Sequence, residues 1–290
     1  MSKVLYNILI PVVVLLLCPA CITEVDVGAC NNTVIRFEYL ADGQEDVFPE
    51  YISSVTYCIY DGEGGIVTQA TLDKNMLDEF QGLKLRLHSA GDYSLVAWGN
   101  LGTHCELYSE EKLSEGKVAH PSETPGTFDR LYLGTLSFNL ESVDGRHEWV
   151  APLHSAHVTL NAYIQSTLSE AAGAYAIRVG KFATGVSNSG ETLGPDREYC
   201  PVFTDDIEGR IKSTTWLPRF DENTEATIEV FSTISESNVA SVKLSDYISA
   251  NNIRITGVEE AVIDVLISVS GTNISIKFPG WKPKPVYPSI

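Results

Sequence analysis

Long apolar runs are scarce in this chain of 290 residues, and so are basic side chains. The longest greasy stretch, Ile8 to Cys18, has 11 residues interrupted by Pro11, well short of the roughly 20 that a membrane-spanning helix needs. Lys and Arg number 20 against 38 Asp and Glu, a net charge of −18. Such a surface repels nucleic-acid backbones and anionic leaflets, so no nucleic-acid partner is expected. Catalytic signatures are missing as well. There is no G-x-S-x-G elbow, and Asp61-Gly62-Glu63-Gly64-Gly65 lacks the Lys-Ser/Thr of a phosphate loop, so it reads as a hairpin turn. Of six histidines only His154 and His157 are close in sequence; on a strand that spacing faces them apart, and surface or turn positions are expected without a metal. Asp205-Asp206 and Asp42-Gly43 with Glu45-Asp46 read as solvated turns, because no EF-hand spacing surrounds them. No enzyme, cofactor or resident metal is expected. No short repeat is present, which sets solenoids aside.

What is present begins at the N-terminus. Met1 to Ala20 carries Lys3, no acidic residue and the short apolar run, the pattern of an export signal. The following Leu17-Cys18-Pro19-Ala20-Cys21 sets a small residue before a cysteine, so Cys21 is expected to carry lipid after residues 1–20 are removed. Cys18 departs from this pattern, standing where such signals usually have an aliphatic residue. The alternative is an ordinary cut that releases a soluble protein. Removal takes only Lys3, and −18 becomes −19. With Cys18 lost and Cys21 acylated, Cys30, Cys58, Cys105 and Cys200 remain, an even number compatible with two disulfides in any of three pairings. No C-x-x-C pair follows Cys21, so zinc and redox motifs are missing.

Beyond the leader, apolar residues alternate with period two: Ile35/Phe37/Tyr39, Val55/Tyr57/Ile59, Leu83/Leu85/Leu87, Tyr93/Leu95/Ala97, Val158/Leu160/Ala162/Ile164, Ile228/Val230 and Ile274/Ile276/Phe278. Helical spacing is confined to Leu72–Phe80 and Leu244–Ala250, the second with Ser245 placed to cap it. Many short strands, polar on one side, predict an all-β protein of antiparallel sandwiches. At 290 residues two domains are expected, joined near residue 153: a tether over 21–30, an N-terminal sandwich over 31–153 and a C-terminal one over 154–290. The last eight residues hold three prolines, which cannot serve in a central strand but suit a sheet edge.

The stretch from Cys21 to Val67, with its lipidation cysteine, a second cysteine nine residues on, an alternating strand, an acidic Phe-containing loop and a strand ending in a Tyr-Asp turn, resembles the FimB-like fimbrillin-anchor lipoproteins of Bacteroidetes. So does Leu85 to Leu101, where an alternating strand leads through a Gly turn to Tyr93 and Trp98-Gly99-Asn100. The resemblance implies two tandem transthyretin-like sandwiches in a surface-exposed outer-membrane lipoprotein, held to the lipid through acylated Cys21 and acting as anchor or basal minor subunit of a type V fimbria. It also implies stalk subunits as partners through β-strand addition, after an arginine-specific protease removes a strand from each of them. In this chain no Lys or Arg occurs between Arg36 and Lys74, and Arg36 lies inside the first expected strand, so no loop site for that protease follows it. The expected contribution is therefore a donated C-terminal segment, with Val286 and Tyr287 filling the acceptor groove. The alternative is a tip adhesin or stand-alone surface lipoprotein binding host glycan or protein, which exposed Trp216 or Trp281 in a groove would favour.

Overall fold

The computed structural model describes residues 31–166, 174–205, 211–270 and 273–280. Each alternating run contains a strand, although Tyr39, Leu87 and Phe278 fall beyond the strand ends. Residues before Ala156 supply a seven-stranded sheet from β1 (Thr33–Glu38), β2 (Val55–Asp61), β3 (Ile66–Leu72), β4 (Gly82–Leu85), β5 (Gly91–Gly99), β8 (Tyr132–Leu140) and β9 (His147–Ser155), in the order β3-β2-β5-β8-β9-β1-β4. Only the start of β8, Tyr132–Gly134, pairs with the end of β9, Leu153–Ser155; the rest of β9 lies along β1. The sheet turns at β9, so that Ile35 and Phe37 share one core with Tyr57, Ile59 and Leu95.

After Ala156 the chain forms a five-stranded sheet ordered β15-β16-β10-β19-β20 from β10 (His157–Ser166), β15 (Thr204–Asp205), β16 (Ile211–Pro218), β19 (Val262–Ser270) and β20 (Asn273–Lys277). A four-stranded sheet ordered β14-β11-β17-β18 joins β11 (Tyr175–Phe182), β14 (Arg197–Tyr199), β17 (Thr227–Ser232) and β18 (Ser237–Lys243). The two sheets enclose Val158, Leu160, Ile177, Val179, Ile228, Val230, Ile263 and Val265. A further small sheet mixes the halves: β6 (Glu106–Tyr108) and β7 (Lys117–Ala119) from the first, β12 (Gly185–Ser187) and β13 (Thr192–Leu193) from the second.

Three expectations need correction. The sheets are not wholly antiparallel, since β1 runs parallel to β9 and β10 parallel to β19. In each half the first strand sits between an antiparallel neighbour and a late strand running the same way, and periodicity carries no information about strand direction. Second, β2 and β5 are not polar on one side: Tyr57, Ile59 and Leu95 face the first core, whereas Cys58, Tyr60, Val96 and Trp98 face the second. The segment from Asn100 to Leu131 and the second half cover what would otherwise be a solvated face. Third, the helix α3 (Leu244–Ala250) is not capped by Ser245, which lies in its first turn; Lys243 holds the cap position without a side-chain bond. A tertiary contact sets that start, the Leu244 N–H donating to the Ala226 carbonyl at 2.9 Å. The other expected helix is α2 (Lys74–Glu79), whose Asp73 cap accepts from the Met76 N–H at 3.0 Å. A turn of helix, α1 (Phe48–Tyr51), has no apolar periodicity of its own and was not expected from it; its Pro49 suits the first turn.

Candidate functional site

The first strand is locked on both sides. β1 pairs antiparallel with β4 from Thr33↔Leu85 to Arg36↔Gly82 and parallel with β9 from Thr33↔His147 to Glu38↔Pro152. Arg36 therefore contributes its backbone to a central ladder while its side chain lies over the Phe80 ring, 5.5 Å from the centroid. At Gly82 the strands come so close that a Cβ would sit 2.2 Å from the Ile35 carbonyl oxygen. Just before the strand, buried Asn32 donates to the carbonyls of Leu87 and Val143 at 2.9 and 3.1 Å and accepts from the Leu87 N–H at 2.9 Å. One amide side chain thus fixes where the chain enters the fold.

The halves are clasped by a pair of glutamates ahead of β19. Glu260 accepts from the hydroxyls of Tyr39 at 2.5 Å and Tyr132 at 2.9 Å, and from the Arg130 guanidinium at 2.8 Å. The Arg130 and Glu260 side chains are only 15% and 17% exposed, so their pairing is formed largely out of water. Burial opposes the Glu260 charge, but the attraction of His157 once protonated, the Arg130 guanidinium and the Tyr39 hydroxyl outweigh it and hold the carboxyl below its ordinary range. Glu259 binds the His154 ring at 2.8 Å and the Ser155 N–H at 2.7 Å. Asp42, in an exposed turn as expected, also accepts from the Glu259 and Glu260 N–H groups at 2.8 and 3.3 Å and so touches the second half. Arg219 donates to the carbonyls of Ser155, His157, Glu259, Ile255 and Val258.

His157 was expected at the surface or in a turn, and the structure overturns that: it is fully buried behind this clasp, with Nδ1 3.0 Å from the Leu131 carbonyl and 3.2 Å from the Ser155 hydroxyl. Burial above all lowers its pKa to about 4, so the ring is neutral at physiological pH. Sequence reasoning missed it because a histidine inside an alternating strand carries no mark of what covers its face.

A second seam joins the same halves. β7 pairs with β12, setting Val118 opposite Val186. Buried Asn188 accepts from the Trp98 indole at 3.4 Å and donates to the Tyr60 hydroxyl at 3.3 Å and the Leu113 carbonyl at 3.2 Å. Gly116 lies against that amide, and a Cβ there would stand 2.2 Å from Asn188 Nδ2. Asp129, also buried, accepts from the N–H groups of Gly102, Thr103, His104 and Cys105 at 2.9 to 3.3 Å and so shapes the loop leading to β6. Backbone bonds complete the stitching, from Phe128 N–H to the Trp216 carbonyl and from Cys200 N–H to the Pro125 carbonyl, both at 2.8 Å.

Cys21, Cys30, Trp281, Val286 and Tyr287 lie outside the described residues. Cys58, Cys105 and Cys200 are free thiols. Two disulfides among four cysteines would need at least one bond within these three, so that arrangement is not the one formed. Burial raises the Cys58 thiol and pushes the Cys105 thiol well above its ordinary range, and both serve as small apolar core residues. Asp61 behaves as the turn reading requires, accepting from the Glu63 and Gly65 N–H groups at 3.0 and 2.9 Å. Among the described residues no group of three or more metal-ligating side chains converges. Trp216 is half-buried against the second core and offers no open aromatic platform.

Residues 27–285 match the family described as fimbrillin-A associated anchor proteins Mfa1 and Mfa2. The chain belongs to that anchor family. Solved structures agree in fold: the fimbrial anchor protein Mfa2 from Porphyromonas gingivalis superposes with a TM-score of 0.63 at 14% identity, over 86% of this chain and 97% of that one. A candidate polysaccharide-binding protein from Bacteroides thetaiotaomicron gives 0.70 at 14% identity, over 87% and 96%. A candidate adhesin from Bacteroides ovatus gives 0.68 at 16% identity, over 87% and 97%. No curated protein matches the sequence. Anchor-family membership makes this a structural protein of fimbriae at the cell envelope, associating with other fimbrial subunits, and not an enzyme. Among the described residues no helix is long and apolar enough to cross a membrane.

Proposed function

We propose that this anchor-family protein holds a type V fimbria to the outer membrane as its basal minor subunit. Acylated Cys21 carries the load into two tandem sandwiches, and the last residues, with Val286 and Tyr287, enter the groove of the first stalk subunit as a donated strand. The observation that carries this reading is β1: among the described residues it is paired on both sides, with Arg36 inside the ladder, so its own place in the first sheet is not open to a neighbour's strand. A subunit that accepts nothing at its membrane end terminates a filament. The two seams between the halves support the same role, because a tether under tension works only if its modules do not separate. Deleting residues 282–290 tests the reading. Cells should shed pili into the medium while a folded lipoprotein stays in the envelope; wild-type retention of pili rejects it.

A further inference from the structure

The face of the first sheet that looks toward the second half is covered along only part of its length. Where it is covered it carries Cys58, Tyr60, Val96 and Trp98, all inside the second core. Further along β5 and β8 the same face changes character: the register sets Asp92 opposite Asn139 and Ser94 opposite Ser137, and Thr135 precedes them on β8. Side chains two apart on a strand share a face, so these groups form one polar floor, about 14 Å long from Thr135 to Asn139. Thr135, Ser137, Asn139 and Asp92 are exposed. Two adjoining hollows of about 780 and 460 Å³ stand above this floor and share Ser94, Leu113, Ser114 and Ser137, so they make one open trench. Such volumes are those of ligand sites.

The walls are fixed before anything binds. Ile66 N–H donates to the Glu111 carbonyl at 3.1 Å and Leu113 N–H to the Gly64 carbonyl at 2.9 Å, which ties one wall to the turn between β2 and β3. The other is the turn after β12, where the Ser187 and Ser189 hydroxyls lie 2.8 Å apart and buried Asn188 is bonded to Tyr60 and Leu113. A wall already rigid spares a ligand the cost of ordering it.

The chemistry of the lining selects the ligand. Hydroxyls and amides both give and take hydrogen bonds, whereas a carboxylate only accepts. Asn139 donates one N–H to Asp92 at 2.7 Å; among the described residues its other N–H, its amide oxygen and the second Asp92 oxygen are left for a ligand. Asp61 and Glu63 stand at the mouth, and Lys112, the only cation lining the trench among the described residues, pairs with Glu115 at 3.0 Å, so an anionic ligand meets repulsion. An apolar peptide would bury the floor hydroxyls without partners. A neutral molecule with many hydroxyl groups satisfies all of them. We infer that this trench binds a neutral oligosaccharide, with Asp92 and Asn139 holding neighbouring hydroxyls at one end and Ser94, Ser137 and Thr135 contacting the chain along its course. Tyr93 and Phe138 are stacked in the first core and offer no platform, so binding depends on hydrogen bonds exchanged with water and is weak. The inference does not rest on the anchoring reading.

Native electrophoresis of the full chain in a polyoxyethylene detergent tests this, with dextran, mannan or galactan in the gel as neutral probes and polygalacturonate as the anionic one. The expected result is slowed migration in at least one neutral gel and none in polygalacturonate. Asp92→Ala and Ser137→Trp should each abolish the slowing while melting at the wild-type temperature. Should either of these variants be destabilised, Ser114→Trp fills the trench from the opposite wall and should abolish it as well. Unchanged migration in every neutral gel would overturn the inference. So would slowing that persists in the variants, which places the ligand elsewhere, or slowing by polygalacturonate alone. None of these outcomes bears on whether the C-terminal segment retains pili.

Discussion

The Tyr39 hydroxyl, just beyond β1, lies 2.5 Å from a carboxylate oxygen of Glu260, 221 positions later in the chain. Through this contact the first strand is fastened to the second half of the molecule as well as to its own sheet. Because Arg130 and Tyr132 share the same carboxylate, removing it strands three buried groups at once.

Glu260→Ala should therefore cost about 3 to 5 kcal/mol in a denaturant titration, the range for breaking one partner of a buried pair. Adding Arg130→Met should recover part of that loss, since the uncompensated charge is gone. If the single variant unfolds at the wild-type midpoint, the clasp carries no stability.

The clasp should also weaken in acid. The His157 pKa is lowered to about 4, against roughly 6.5 in an unfolded chain, so below pH 6.5 the unfolded state binds a proton that the folded state refuses. Stability is intact above that pH and falls by up to about 3 kcal/mol as pH drops to 4. Glu260 acts in the same sense, because its carboxyl is held low in the fold and its contribution disappears as it becomes protonated. Urea midpoints measured from pH 7 to 4 should decline, and His157→Gln should flatten the upper part of that slope.

At the second seam, Gly116→Ala pushes a methyl into the Asn188 amide, for an expected cost of about 1 to 3 kcal/mol from overpacking. The same change in an Asn188→Ala background should cost far less, because the colliding atom is absent. Equal penalties in the two backgrounds would show that the close approach is not what constrains this glycine.

Arg36 should resist an arginine-specific protease in the native protein. Its backbone is bonded into two ladders, and cleavage requires a segment that can leave its sheet. Fragments ending at Arg36 should appear only after denaturant unfolds the first half. Their release from the native chain at low protease concentration would contradict the locked-strand account.

Much of the architecture was legible in the sequence because burial on one face of a strand writes a period of two. Ile35/Phe37, Val158/Leu160/Ala162 and Ile274/Ile276 are read from side chains alone and lie in strands as expected. The alternation at Tyr57/Ile59 was read equally well, yet Cys58 and Tyr60 between them are also buried, since a second surface from distant residues closes over them.

The sequence by itself determined an acidic all-β chain, and resemblance pointed to its anchor family. Hydrophobic period, charge balance and a short greasy run are local properties, present before any folding. Tertiary structure alone decided that β1 is a central strand, that Asp42 and Glu260 clasp the halves, that His157 stays neutral and that three cysteines remain thiols. Each of those depends on which groups more than a hundred positions apart, or on neighbouring strands, exclude water from one another, and no local spacing encodes that.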